Sequence, residues 1–235
     1  MDLTANVAAI QQRIATACDR AGRELRTVQL MAVSKGHPPE AIRAVADTGL
    51  TLFGESKVQE AKVKVPQCPG KLHWQMIGHL QSNKAKDAVQ LFEVIQSVDS
   101  LSLAQELNKR AEQAAKTLPI LLEVNVAGES SKFGYGPEAV LAELDQLNDL
   151  KRLQLHGLMT IAPYVQEPER VRPFFRRLRE LKEQCEQKLE APLPVLSMGM
   201  SGDFEIAIEE GSTLVRVGTA IFGERTYTRP APSQD

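Results

Sequence analysis

Residues 195–223 read VLSMGMSGDFEIAIEEGSTLVRVGTAIFG. Two short apolar runs, VLSMGM and TLVRVGTAIFG, are each followed by a glycine-bearing turn, and a helix-compatible stretch, FEIAIEE, separates them. This is a strand, helix, strand order, and it requires a right-handed crossover between parallel strands. Six further runs of the same kind lie upstream: VQLMAVSK (28–35), LTLFGES (50–56), LHWQMIG (72–78), FEVIQSV (92–98), PILLEVNV (119–126) and LQLHGLMTI (153–161). Between them lie Ala-, Leu-, Glu-, Lys- and Arg-rich stretches such as SLAQELNKRAEQAAK and RVRPFFRRLRELKEQCEQKLE, which favour helix. Eight strand-helix units close into a (β/α)8 barrel, and 235 residues suit one such domain. An open doubly wound sheet competes, but no G-x-G-x-x-G follows the first run. The expected architecture is α/β, a single-domain TIM barrel over 1–223, with residues 224–235 as a short tail.

Leu3, Val7, Ile10, Ile14 and Ala17 recur at helical spacing and form an extra N-terminal helix. The tail has no room for a full eighth helix, so this opening helix is expected to take its place. Composition narrows the class further. Lys and Arg total 28 against 30 Asp and Glu, a formal charge of −2, which gives no general attraction for nucleic acid or an anionic membrane. Cys18, Cys68 and Cys185 are scattered and unpaired in sequence, which suits a reducing compartment, and the expected location is the cytoplasm. No secretory signal or membrane-length apolar run is read from the sequence.

In this fold functional groups gather where strands end. Lys35 ends the first run, and alternation places it on the face of Met31 and Val33, inside the barrel mouth. A desolvated lysine there has the lowered pKa that imine formation needs. The same position also suits a plain solvated turn before Gly36 and His37. After the last two runs, Ser201 is read as a helix N-cap whose first turn offers N–H groups to an anion, while Gly218 and Thr219 add a close backbone and a hydroxyl. The other reading of these glycines is turn shape and helix packing. Arg216 shares a face with Gly218, either paired with an inward carboxylate such as Glu123 or presented to a ligand.

Weaker candidates take ordinary explanations. His73, His79 and His156 show no metal spacing, and Trp74 belongs to the core. Lys84 and Lys132 sit among polar neighbours that suggest solvated loops. Arg170, Arg172, Arg176, Arg177, Arg179 and Lys182, interleaved with Glu169, Glu180 and Glu183, read as a solvated helix face.

AVSKGHP, FGESKVQEA, LHWQMIGHLQSNK, VNVAGESSKFG, HGLMTI and the long 196–223 segment, in this order, closely resemble the YggS/PROSC family of pyridoxal phosphate homeostasis proteins. The resemblance spans nearly the whole chain. It implies a barrel of PLP fold-type III, similar to the N-terminal domain of alanine racemase, with pyridoxal 5'-phosphate (PLP) held as a Schiff base on Lys35. By the same resemblance Ser201, Gly218 and Thr219 take the phosphate and Arg216 faces the pyridine nitrogen. Met200, Gly202, Ser56, His79 and Asn125 complete the expected cofactor-binding set. The family's second motif commonly reads FGENYVQE, whereas Ser56 and Lys57 stand here, so Ser56 offers a hydroxyl in place of the usual asparagine.

The resemblance implies a carrier acting in PLP and amino-acid balance without a turnover reaction, and the absence of the racemase's second domain favours a monomer. PLP-dependent apoenzymes or a regulatory protein are its candidate partners. The alternative is a PLP-dependent amino-acid racemase, which needs a second base opposite the lysine. Tyr135, Tyr164 and Tyr227 are the only tyrosines, and nothing in their sequence setting places them there. A class I aldolase, whose lysine needs no cofactor, is a distant third.

Overall fold

The structure, a computed structural model, describes residues 2–129 and 132–224. The tail 225–235, and Tyr227 with it, lies outside the described residues. In chain order the elements are α1 (Leu3–Arg20), β1 (Gln29–Val33), α2 (Pro39–Ala46), β2 (Leu52–Glu55), α3 (Val58–Lys64) and β3 (His73–Met76). There follow α4 (Ala85–Leu91), β4 (Val94–Val98), α5 (Leu101–Gln113), β5 (Leu118–Glu123), α6 (Pro137–Asn148) and β6 (Leu153–Met159). The last are α7 (Arg172–Leu189), β7 (Val195–Ser197), α8 (Phe204–Glu209), β8 (Leu214–Val217) and α9 (Thr219–Phe222). The eight strands form a closed parallel barrel in sequential order, with β1 paired to β8 through Gln29–Leu214, Leu30–Val215, Met31–Arg216 and Ala32–Val217. Every apolar run singled out above supplies one strand.

Alternation along each strand divides the core in two. Outward residues such as Ala32, Phe53, Trp74, Ile95, Ile120 and Val215 pack against the helices in one continuous cluster. Inward residues make a small separate plug of Met31, Val33, Ile77 and Leu214, with Leu52 and Val195 against it. Gly54 makes room for that plug, since a Cβ there would stand 2.6 Å from the Met31 sulfur.

The seam between β8 and β1 is covered by α1, as expected; among the described residues β8 is followed only by the single turn of α9. Val7, Ile10, Ile14 and Ala17 form the buried face of α1. Asn6 Nδ2 donates to the Ile221 carbonyl at 2.8 Å, Arg13 pairs with Glu205 at 2.9 Å, and Arg20 pairs with Glu209 at 3.0 Å. Beyond α1, the Arg23 guanidinium donates to the carbonyls of Ile208 and Ser212.

The basic stretch of α7 is more than a solvated face. Arg172, Arg176 and Arg179 converge on Glu210, which is buried, and Arg172 also reaches Glu209. Sequence reading gave these arginines a solvated face interleaved with Glu169, Glu180 and Glu183, and could not anticipate a partner from the α8–β8 turn. Lys132 is likewise not a plain loop lysine: it donates to Glu129 and to the Ala162 carbonyl and is only partly exposed. Among the described residues no helix is long and apolar enough to cross a membrane, and no His, Cys, Asp and Glu cluster could hold a metal ion.

The β6–β7 pairing depends on a missing side chain. At Gly157, opposite Val195, an added Cβ would lie 1.8 Å from the Val195 carbonyl oxygen. Neither backbone can yield without opening the barrel. Gly157→Ala is therefore expected to lower stability by about 1–3 kcal/mol, read as a shift of the urea midpoint.

Candidate functional site

The expected site residues all come to the C-terminal ends of the strands. Lys35 follows β1, Ser56 follows β2 and His79 follows β3; Asn125 follows β5. Met200, Ser201 and Gly202 form the turn after β7, Arg216 lies within β8, and Gly218 and Thr219 begin the turn after it. Because β1 and β8 are hydrogen-bonded neighbours, the lysine near one end of the sequence and the glycine turns near the other share one rim. Gly218 lies so close to β1 that a Cβ on it would approach the Val33 carbonyl to 3.3 Å.

Ser201 does not cap α8. That helix starts at Phe204, its N-cap position is Asp203, and the Ser201 hydroxyl instead accepts from the Ala220 N–H at 3.3 Å. The serine ties the turn after β7 to the turn after β8. Asp203 Oδ1 accepts from the Met200 N–H at 2.6 Å and so shapes the turn from within. Among the described residues, the N–H groups of Ser201, Gly202 and Thr219 have no hydrogen-bond acceptor. Gly202 has open space where its Cβ would be. Helices of six and four residues carry little macrodipole, so these free donors and the absence of side-chain bulk, rather than the dipole, suit the turns to an anionic group.

Arg216 is buried, with 4% of its surface exposed. Its NH1 donates to Ser197 Oγ at 2.6 Å and its NH2 to the Thr160 carbonyl at 2.7 Å. Ser197 Oγ in turn donates to Gln96 Oε1 at 2.7 Å, and Gln96 Nε2 donates to Gln75 Oε1 at 2.6 Å. A chain of polar groups thus crosses the barrel interior from β8 through β7 and β4 to β3. No carboxylate among the described residues is within 4.0 Å of the guanidinium, so a contact ion pair with Glu123 is not formed. Burial pulls the Arg216 pKa down to about 10, which Glu123 and Asp203 oppose from a distance, so it stays protonated at neutral pH.

Glu123 ends β5 facing this interior. Burial, reinforced by the negative charge of Asp99 and opposed by Arg216, pushes its pKa up to about 7, and its Oε2 is buried without a partner. His79 Nδ1 is 2.9 Å from Asp99 Oδ2, and its ring stacks on Phe133 at 3.6 Å and 8°. Asn125 is engaged within its own loop: its amide donates to the Glu129 carbonyl at 2.8 Å, and its side-chain oxygen accepts from the Glu129 N–H. A cavity of about 720 Å³ opens beside the turn after β7, lined by Met200, Gly202, Asp203, Lys132, Ile161 and Tyr164 among others. Lys35, Ser201, Arg216, Gly218 and Thr219 are not among its lining residues, so the cavity adjoins the rim of the expected site and does not coincide with it.

Sequence reading missed the groups that hold these residues: Ser197, Gln96, Gln75 and the Thr160 carbonyl under Arg216, and Glu55, Glu60 and Lys64 around Lys35. The available signal was a polar residue inside an otherwise apolar run, as in FEVIQSV and VLSMGM. The raised pKa of Glu123 makes stability pH-dependent. The unfolded chain releases this proton near pH 4.5 and the native state near 7, so the native state binds more protons in between and stability falls as pH rises through that window. Glu123→Gln removes the slope, and denaturation of the cofactor-free protein at pH 8 is expected to show a gain of about 1–3 kcal/mol, with little change at pH 4.

A model of the alanine racemase N-terminal domain matches residues 5–226. A pyridoxal phosphate homeostasis protein of Aquifex aeolicus is 43% identical over 228 residues, covering 97% of this chain and all of the relative. The structure of PipY from Synechococcus elongatus, with PLP bound, superposes with a TM-score of 0.80 at 39% identity and covers 91% of this chain and all of that one. Clostridium difficile alanine racemase shares the fold at a TM-score of 0.75 and 15% identity, and the match covers 95% of this chain but 56% of the racemase. The barrel, the rim residues and these likenesses together place the chain in the alanine racemase N-terminal-domain family, among the pyridoxal phosphate homeostasis proteins.

Proposed function

We propose that this chain binds PLP covalently through Lys35 and serves the intracellular homeostasis of that cofactor rather than a turnover reaction. The observation that carries the reading is the shared rim of β1 and β8, which puts an amine at one edge and two glycine turns with free N–H donors at the other. The PLP-bound PipY structure supports the choice of cofactor. When bound, PLP supplies an electrophilic aldehyde and a conjugated ring, and the chain's own residues do the rest. Lys35, just after β1, would supply the amine that takes the aldehyde. Ser201, Gly202, Gly218 and Thr219 line the turns that would take the phosphate, and Met200 borders the cavity beside them. Arg216, oriented by Ser197 and the Thr160 carbonyl, has further donors for the pyridine nitrogen. Ser56 and His79 stand at the rim as ring-side candidates, and Asn125 contributes by holding its loop.

With the ring nitrogen held against it, the protonated Arg216 guanidinium would keep that nitrogen unprotonated and so weaken the ring as an electron sink. Racemisation also needs a second base. Tyr135 is buried, with its hydroxyl held by burial and by Glu143 well above the usual tyrosine range, and Tyr164 is 94% exposed. The proposed carrier is a cytoplasmic monomer that hands PLP to apoenzymes or answers to a regulatory protein.

Lys35→Ala is expected to abolish the borohydride-trapped cofactor peptide and the visible absorbance of the loaded protein while leaving it folded. Unchanged trapping would reject the assignment. Alanine incubated with the loaded protein in D₂O is expected to exchange its α-proton slowly and with retention. Inversion at rates on the order of 1–1000 per second would instead establish a racemase.

A further inference from the structure

The residues flanking Lys35 are held by a buried charged cluster that the binding of PLP does not itself require. Lys64, on the last turn of α3, is 6% exposed, and Glu55, at the end of β2, is fully buried. Lys64 Nζ donates to Glu55 Oε1 at 3.0 Å, to the Ser34 carbonyl at 2.8 Å, and to Glu60 one helical turn earlier. Ser34 Oγ donates to the same Glu55 oxygen at 2.7 Å. On the other side of Lys35, the Gly36 N–H donates to Glu60 Oε1 at 2.6 Å. Gly36 has φ +79°, a conformation that an L side chain adopts at a cost, so the chain turns sharply there. His37 N–H closes the turn onto the Ser34 carbonyl at 3.0 Å.

The peptide units before and after Lys35 are therefore both fastened to one three-residue cluster, Glu55, Glu60 and Lys64. Burying the Lys64–Glu55 pair is a poor way to gain stability, since apolar side chains of the same volume fill such a space at no desolvation cost. What the charges provide is direction. A lysine stem has four rotatable bonds, and the reach of its amine is defined only as well as its Cα is. Glu55 would accept from the Ser34 hydroxyl and Lys64 would donate to the Ser34 carbonyl whether or not cofactor is present. We propose that Glu55, Glu60 and Lys64 are positioning residues that fix the Ser34–Gly36 backbone and thereby aim the Lys35 amine at the cofactor aldehyde. This rests on the covalent reading of Lys35 given above.

The test compares two ligands on the full-length protein stripped of cofactor: PLP, and pyridoxine 5'-phosphate, which has the same ring and phosphate but an alcohol where the aldehyde stands. Wild type should prefer PLP, and Lys35→Ala should lose the preference. If Lys35→Ala keeps it, the covalent reading itself fails and this proposal with it. Because Lys64→Met alone strands the buried Glu55 carboxylate, the working variants are the charge-balanced Lys64→Met/Glu55→Gln and the milder Glu60→Ala, which alters a partly exposed side chain. Both should bind PLP more weakly, by about tenfold and about threefold, and form the borohydride-trappable adduct more slowly, while alcohol affinity stays within about twofold. An equal loss for both ligands would show only a packing role, and unchanged PLP binding and trapping rate would also overturn the proposal.

Discussion

A guanidinium enclosed in a barrel must be given acceptors by its own walls, because water is excluded and an unsatisfied buried charge is prohibitively costly. Arg216 meets this demand with a serine hydroxyl and a main-chain carbonyl rather than a carboxylate. The choice has consequences throughout the interior. A carboxylate in contact would have neutralised the arginine and left little reason for it to face a ligand. Neutral acceptors keep its charge available, and the chain through Ser197, Gln96 and Gln75 spreads the polarisation over three strands. That polar layer in turn requires the apolar plug of Met31, Val33, Ile77 and Leu214 to fill the rest of the bore.

The interior and the rim thus use different solutions to the same difficulty. In the bore, one permanent cation is held by uncharged groups, and Glu123 nearby is pushed toward its neutral form by burial. At the end of β1, charges are met by charges, in the Glu55, Glu60 and Lys64 cluster. The first arrangement keeps a charge available to a ligand, whereas the second is consumed in holding backbone.

Much of this was legible in the sequence because barrel strands are short, apolar and separated by helical text. Each of the eight runs became a strand, and alternation along VQLMAVSK and TLVRVGTAIFG placed Met31, Val33 and Arg216 on the inner face. The motif order suggested the family. Less was legible where geometry depends on partners far apart in the chain. Ser201 has a good N-cap composition, but the N-cap position falls two residues later, at Asp203, and the hydroxyl is taken by Ala220. Asn125 shares an inward-reading pattern with Glu123, yet its side chain is used by a loop that a strand-period argument does not see. The acceptor for Arg172, Arg176 and Arg179 comes from more than thirty residues away, beyond the reach of any i, i+4 rule.

The covering of the β8–β1 seam by α1 also sets an order of events. Asn6 bonds to a carbonyl 215 residues further along, and Lys35 does not have the Gly218–Thr219 turn beside it until β8 has been made and paired with β1. During synthesis the amine emerges early and the turns that complete its site emerge last. A nascent or truncated chain lacking β8 would therefore present Lys35 without the turn that follows β8. On the proposed reading of this rim, cofactor capture would wait on completion of the chain, and closure of the barrel would act as its own proofreading step before a reactive metabolite is taken on.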